Sequence, residues 1–145
     1  VVPDYYERLY LLDNDREERK LASFLDYLAW FGEEIRRVGP TPVFILIPDA
    51  VVVGKTYRSD FEKIGFQIPS AFDEITPVPL VQTVRQFLLR KGLACIDLLP
   101  TLRQSEKNLY IPLDMHFNSV GQEEAGRAVL DGLEELGLVP TGTGD

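Results

Sequence analysis

Cysteine, methionine, tryptophan and histidine each occur once in this chain of 145 residues. The lone Cys95 excludes an internal disulfide framework, and its place in the apolar run LACIDLL reads as a small core side chain. Long hydrophobic runs are also lacking: the longest apolar stretch, PVFILIPDAVVVG, is too short for a bilayer span and is interrupted by Asp49. No segment of the chain is therefore expected to cross a membrane. Basic residues are scarce, with 15 Lys and Arg against 23 Asp and Glu, a net charge of -8. Together with a pI near 4.7, this argues against nucleic acid and against anionic membrane surfaces as partners, both of which need a basic face. The opening VVPDYYERLY lacks an initiator Met and the basic and apolar regions of a signal peptide. It reads as the start of a fragment or of a processed product.

What is present is the balance of a packed globular protein, 45% hydrophobic and 26% charged. The length fits one domain with one core of ordinary size. We place that domain at residues 1–140, with TGTGD at 141–145 as a frayed, disordered tail.

Hydrophobic periodicity organises the chain. From Asp15 to Val38, Leu21, Phe24, Leu25, Leu28, Phe31, Ile35 and Val38 recur at helical steps, behind Asp13 and Asn14 as capping residues. Glu33 is placed to pair with Arg36 and Arg37, and Gly39-Pro40 stops the helix. The run from Pro42 to Pro48 is continuously apolar, as in a strand covered on both faces. A long excursion follows, with one short helix near Asp60 to Ile64. An amphipathic helix from Leu80 to Lys91 turns Val81, Val84 and Leu88 inward and is closed by Gly92, after which LACIDL is a second buried strand. A last helix, Ser119 to Leu136, gathers Ala125, Ala128, Val129, Leu133 and Leu136 on one face. Helix and strand alternating in this way predict an α/β fold with a parallel sheet, its functional edge at the carboxyl ends of the strands.

The only histidine, His116, lies in LYIPLDMHFNSVGQEEAGRAVLDGL, two residues after Asp114. A histidine works as a general base when a partner fixes its tautomer and stabilises the imidazolium that forms. Asp114 is close enough to turn back onto one ring nitrogen and leave the other for a nucleophile. Gly121 lets the helix beyond Ser119 pack closely as a mount for the loop. For an arbitrary Asp-x-His, a capping or partly buried polar role is the commoner explanation. A third alternative groups Asp114, His116 and Asn118 as a metal site, against which stand the poor ligand Asn and the lack of further His or acidic clustering.

The strand ACIDLLPTLRQ, the short gap, and LYIPLDMHFNSVGQEEAGRAVLDGL together resemble the C-terminal block of the SGNH/GDSL hydrolase superfamily. That block has Asp, one or two residues, His, often Asn, then a Gly and an Ala-rich helix. The upstream GPTPVFILIPDAVVV is similar to the superfamily's penultimate central strand. Tyr110 before the acid and the single residue between Asp114 and His116 resemble the branch related to polysaccharide O-acetylation, including alginate-type acetyltransferases. The resemblance implies a three-layer α/β/α fold with a flavodoxin-like parallel sheet. It also implies His116 as catalytic base, Asp114 as its orienting acid, and no metal or organic cofactor.

The superfamily's nucleophile block, Gly-Asp-Ser, occurs nowhere in this chain. Its Gly-x-Asn-Asp block has an echo in LDND, where helix capping explains Asp13 and Asn14 at least as well. Ser23 reads as a helix residue, Ser119 as a cap, and Ser59, Ser70 and Ser105 as loop residues, with Ser59 and Ser70 alone in the long excursion.

The expectation is therefore the C-terminal part of an SGNH-type serine esterase or O-acetyltransferase, lacking the N-terminal strand and helix of its sheet. It would act on ester-linked acyl groups, chiefly acetyl, of a small molecule or polysaccharide. The chain alone would be inactive, would expose apolar surface where the missing elements belong, and would be marginally stable or self-associating. The family implies an extracytoplasmic location, although no residue pattern here specifies an export route. A non-catalytic glycan- or protein-binding module is the alternative, with Tyr57, Phe61, Phe66 and Phe72 as contact residues or else as core.

Overall fold

The computed structural model describes residues 4–6, 10, 15–69, 72 and 78–139. The expected caps Asp13 and Asn14, with the LDND echo around them, Ser70, and the tail 141–145 lie outside these residues.

Helix α1 runs over Asp15–Arg37 and strand β1 over Val43–Leu46. Helices α2, Ala50–Val53, and α3, Lys55–Lys63, follow directly. Helix α4 is Pro79–Arg90, strand β2 is Ala94–Asp97, helix α5 is Leu99–Gln104, and helix α6 is Ser119–Glu135. The two strands pair in parallel, from Val43 opposite Ala94 to Leu46 opposite Asp97. The fold is thus mixed helix and strand around a parallel sheet, and among the described residues that sheet has two strands.

Alternation along the strands divides the side chains between two sets of helices. Phe44, Leu46 and Cys95 pack with Val84, Leu88 and Leu93, and Leu21, Leu25 and Leu28 of α1 close the same cluster. Val43 and Ile96 instead join Ala125 and Ala128 of α6. Small residues permit these approaches: a β-carbon at Gly32 would lie 2.6 Å from Leu93. A third cluster, built from Tyr6, Tyr10, Val51, Val52, Phe61, Phe72, Val78 and Leu99, fills the region beyond the end of β1.

Several boundaries differ from the sequence reading. Ala50–Val53 and Leu99–Gln104 are short helices where a structureless excursion and a continuing strand were expected. Pro100, in the first turn of α5, suits a helix start because that position needs no N–H donor. Arg37 pairs with Glu34 at 2.8 Å, not with Glu33. Arg36 leaves the helix surface to donate to the carbonyls of Lys91 and Gly92. Most important, the α1 stripe is split: Phe24, Phe31 and Val38, expected to face inward, are exposed together with Tyr27 and Trp30.

Candidate functional site

The loop that carries Asp114 and His116 is fastened before the two residues enter it. Tyr57 accepts a hydrogen bond from the backbone N–H of Leu109 at 2.7 Å and donates to Asn108 Oδ1 at 2.8 Å. Buried Tyr110 donates its hydroxyl to the carbonyl of Pro48, just beyond the carboxyl end of β1, at 2.7 Å. Tyr110 and Phe117 form an isolated antiparallel bridge and their rings stack obliquely, 4.7 Å between centroids. Within the bridge, Ile111 N–H donates to the His116 carbonyl and Asp114 N–H to the Ile111 carbonyl, each at 3.0 Å. The reversal places Leu113 at φ 56°, a left-handed conformation unusual for a branched side chain.

Asn118 locks the far end. Its Oδ1 accepts from Gly121 N–H at 2.9 Å, making Asn118 the N-cap of α6, while its Nδ2 donates to the Asn108 carbonyl at 2.8 Å. The cap is therefore Asn118 and not Ser119, which is the first residue of the helix. Gly121 is required as well: a β-carbon there would collide with the carbonyl oxygen of Leu109.

At the tip, Asp114 Oδ1 lies 2.5 Å from His116 Nδ1 and also accepts the backbone N–H of His116 at 2.9 Å. These two contacts, the ring hydrogen bond first, hold the Asp114 carboxyl below its ordinary range. The imidazole is 84% exposed and the carboxylate 44%. Nε2 has no hydrogen-bond partner among the described residues. One ring nitrogen is thus held, and the other stands open among the described residues.

No serine hydroxyl completes the arrangement among the described residues. Ser23 donates to the Arg19 carbonyl within α1, and Ser105 accepts from Lys107 N–H. Ser59 is exposed on α3 and Ser119 begins α6. The metal alternative loses its third ligand, because Asn118 Oδ1 is engaged in the cap. Among the described residues no group of three or more His, Cys, Asp or Glu could hold a metal ion.

One polar feature of this edge was missed by the sequence reading. Asp49, the residue after Pro48, accepts from the Tyr10 hydroxyl at 3.2 Å, and its other carboxylate oxygen is buried with no hydrogen-bond partner among the described residues. Burial pushes its pKa up, opposed by the Tyr10 hydroxyl and the Ala50 N–H. Burial and the Asp49 charge likewise push the Tyr6, Tyr10 and Tyr110 hydroxyls up. An aspartate directly after the apolar run PVFILIP was the available signal, since positions past the carboxyl end of a strand lie at the functional edge of α/β sheets.

The aromatics proposed as ligand contacts are structural. Phe61 and Phe72 are buried, Phe66 packs on their cluster, and Tyr57 is committed to the loop base. Asp97 caps local backbone through Leu99 N–H at 3.0 Å. A cavity of about 770 Å³ between α4, β2 and α5 is lined by Arg85, Cys95, Asp97 and Arg103 among others, but not by Asp114 or His116. Burial, then the Asp97 charge, pushes the Cys95 thiol up to about 11, which suits packing and not nucleophilic attack.

No helix among the described residues is long and apolar enough to cross a membrane. Comparison of the chain with protein-family models, curated proteins and solved structures finds no match.

Proposed function

We propose that this chain supplies the acid and base of an SGNH-type serine esterase or O-acetyltransferase. The observation that carries the reading is the Asp114–His116 pair, with Nδ1 held at 2.5 Å and Nε2 open, on a loop tied to the carboxyl end of a parallel strand. In this reading β1 and β2 are neighbouring strands of a larger parallel sheet in a three-layer α/β/α domain. The nucleophilic serine and the oxyanion donors come from polypeptide outside these 145 residues.

In the acylation step His116 Nε2 takes the serine proton as Oγ bonds to the acyl carbonyl carbon, and Asp114 stabilises the resulting imidazolium. Collapse of the tetrahedral adduct releases the alcohol, which leaves with that proton. Water or a second hydroxyl then attacks the acyl-enzyme by the reverse use of the same base. An acetylated carbohydrate outside the cytoplasm is the substrate that best matches the resembled branch.

The test is fluorophosphonate labelling with intact-mass readout, on this chain and on the complete encoded polypeptide. Labelling of the longer form alone supports the proposal. Labelling of the 145-residue chain would put the nucleophile among the serines dismissed above. In the labelled form, His116→Ala should lower esterase turnover by on the order of 10²–10⁴-fold; undiminished turnover would sink the assignment.

A further inference from the structure

The outer face of α1 is built as a seam. Lys20, Phe24, Tyr27, Phe31 and Glu34 follow one another at alternating steps of four and three, the spacing that keeps one line of a helix against a partner helix. Its aromatics are open to solvent: Phe24 is 48%, Tyr27 55%, Trp30 55% and Phe31 42% exposed. Tyr27 and Phe31 stack on each other and Trp30 tilts against Tyr27, so the patch is contiguous. Leu21, Leu25 and Leu28 already bind α1 to the body of the protein through the adjacent face of the helix. Among the described residues nothing buries the seam, and an exposed aromatic stripe rimmed by charge marks an interaction surface.

We infer that this face pairs with a second copy of the chain, helix against antiparallel helix, about a two-fold axis through Tyr27. Charge selects both the partner and the direction. With Tyr27 at the centre, Lys20 lies seven residues before the axis and Glu34 seven residues after it. An antiparallel copy brings Lys20 opposite Glu34 of the partner subunit at both ends of the seam. A parallel copy would oppose lysine to lysine and glutamate to glutamate.

Shape agrees with charge. Phe24, three residues before the axis, falls opposite Trp30 of the partner subunit, three residues after it, and Phe31 falls opposite the small Ser23 of the partner subunit. Within each helix Lys20 also pairs with Glu17 at 2.9 Å and Glu34 with Arg37 at 2.8 Å, and the same axis sets Glu17 opposite Arg37 of the partner subunit. Four half-exposed aromatic rings contribute roughly 400 Å² per copy, about half of the ~800 Å² per partner of a standard interface. The stems of Lys20, Glu34 and Val38 extend the patch at its ends.

Sedimentation velocity over a concentration series decides the matter, with circular dichroism confirming that each variant is folded. The wild-type chain should sediment as a dimer, and Tyr27→Glu, at an exposed helix position, as a monomer with unchanged helicity. Lys20→Glu alone, and Glu34→Lys alone, should each raise the dissociation constant at least roughly ten-fold by opposing like charges. The double variant K20E/E34K should recover dimerisation, because it restores opposite charges across the axis. A monomeric wild type would overturn the inference and leave the seam to other polypeptide, such as chain beyond these residues. A dimer insensitive to the charge reversals would overturn the antiparallel geometry.

Discussion

Tyr110 donates its hydroxyl to the carbonyl of Pro48, 62 positions earlier in the chain, across 2.7 Å of protein interior. That bond ties the Asp114–His116 loop to the end of β1. Tyr110→Phe removes the donor and leaves the buried carbonyl without it, at a cost of about 1–3 kcal/mol in denaturant unfolding. The same variant should broaden the backbone resonances of Met115 and His116, since their loop loses a fixed attachment. Unchanged stability and unchanged spectra would show that the ring alone holds the loop.

Gly121 and Gly126 occupy the same helix and should respond to the same substitution in opposite directions. Gly121→Ala drives a methyl into the Leu109 carbonyl, and unfolding should be easier by ~3 kcal/mol or more. A methyl added at Gly126 would meet open space, with no heavy atom within 4 Å. Gly126→Ala should therefore stabilise by about 0.5–1 kcal/mol through helix propensity. Thermal or chemical denaturation of the two variants checks both signs.

Asp114 should titrate below an ordinary aspartate when followed by carbon NMR, because the His116 ring and its backbone N–H both favour the carboxylate. A carboxyl depressed in the folded state contributes stability that is present above its unfolded pKa and is lost as pH falls through the folded value. The midpoint should move back toward the ordinary value in His116→Ala. A midpoint already ordinary in the wild type would mean that the pair does not persist in solution.

Asp49 should behave in the opposite sense. Burial raises its pKa, so the native state holds the proton more tightly than the unfolded chain does. Stability therefore declines as pH rises from the ordinary aspartate range through the raised folded value. Asp49→Asn keeps an acceptor for the Tyr10 hydroxyl and has no charge to bury. Its unfolding free energy should show a flatter pH dependence across that window, measured by urea titration at a series of pH values.

The sequence showed β1 and β2 because continuous apolar runs bounded by Pro or Gly have few other uses in a chain of this size. It showed α1, α4 and α6 through their period. It did not show α2, whose AVVV carries three strand-favouring valines after a single alanine, since packing of Ala50, Val51 and Val52 decides that turn and propensity does not. Nor could periodicity say which apolar residues of α1 face inward. Leu21 and Phe24 are one turn apart, and only the position of Leu88 and Leu93 decides that the leucines are covered and the phenylalanine is not. At the candidate site, Asp114 and His116 were visible as a spacing. The clasp of Tyr57, Tyr110 and Asn118 was not, because each reaches across the fold to groups far away in the chain or acts through backbone atoms.

Asn118 opens α6 and clasps the loop with a single side chain, so two events usually separate are joined. When the first turn of the helix unwinds, Gly121 N–H and the Asn108 carbonyl lose their partner in the same motion. The lifetime of the imidazole–carboxylate geometry is then bounded by the fraying of one helix end, a local opening much smaller than global unfolding. A ligand that settles on the open imidazole would slow amide exchange at Gly121 without touching the helix.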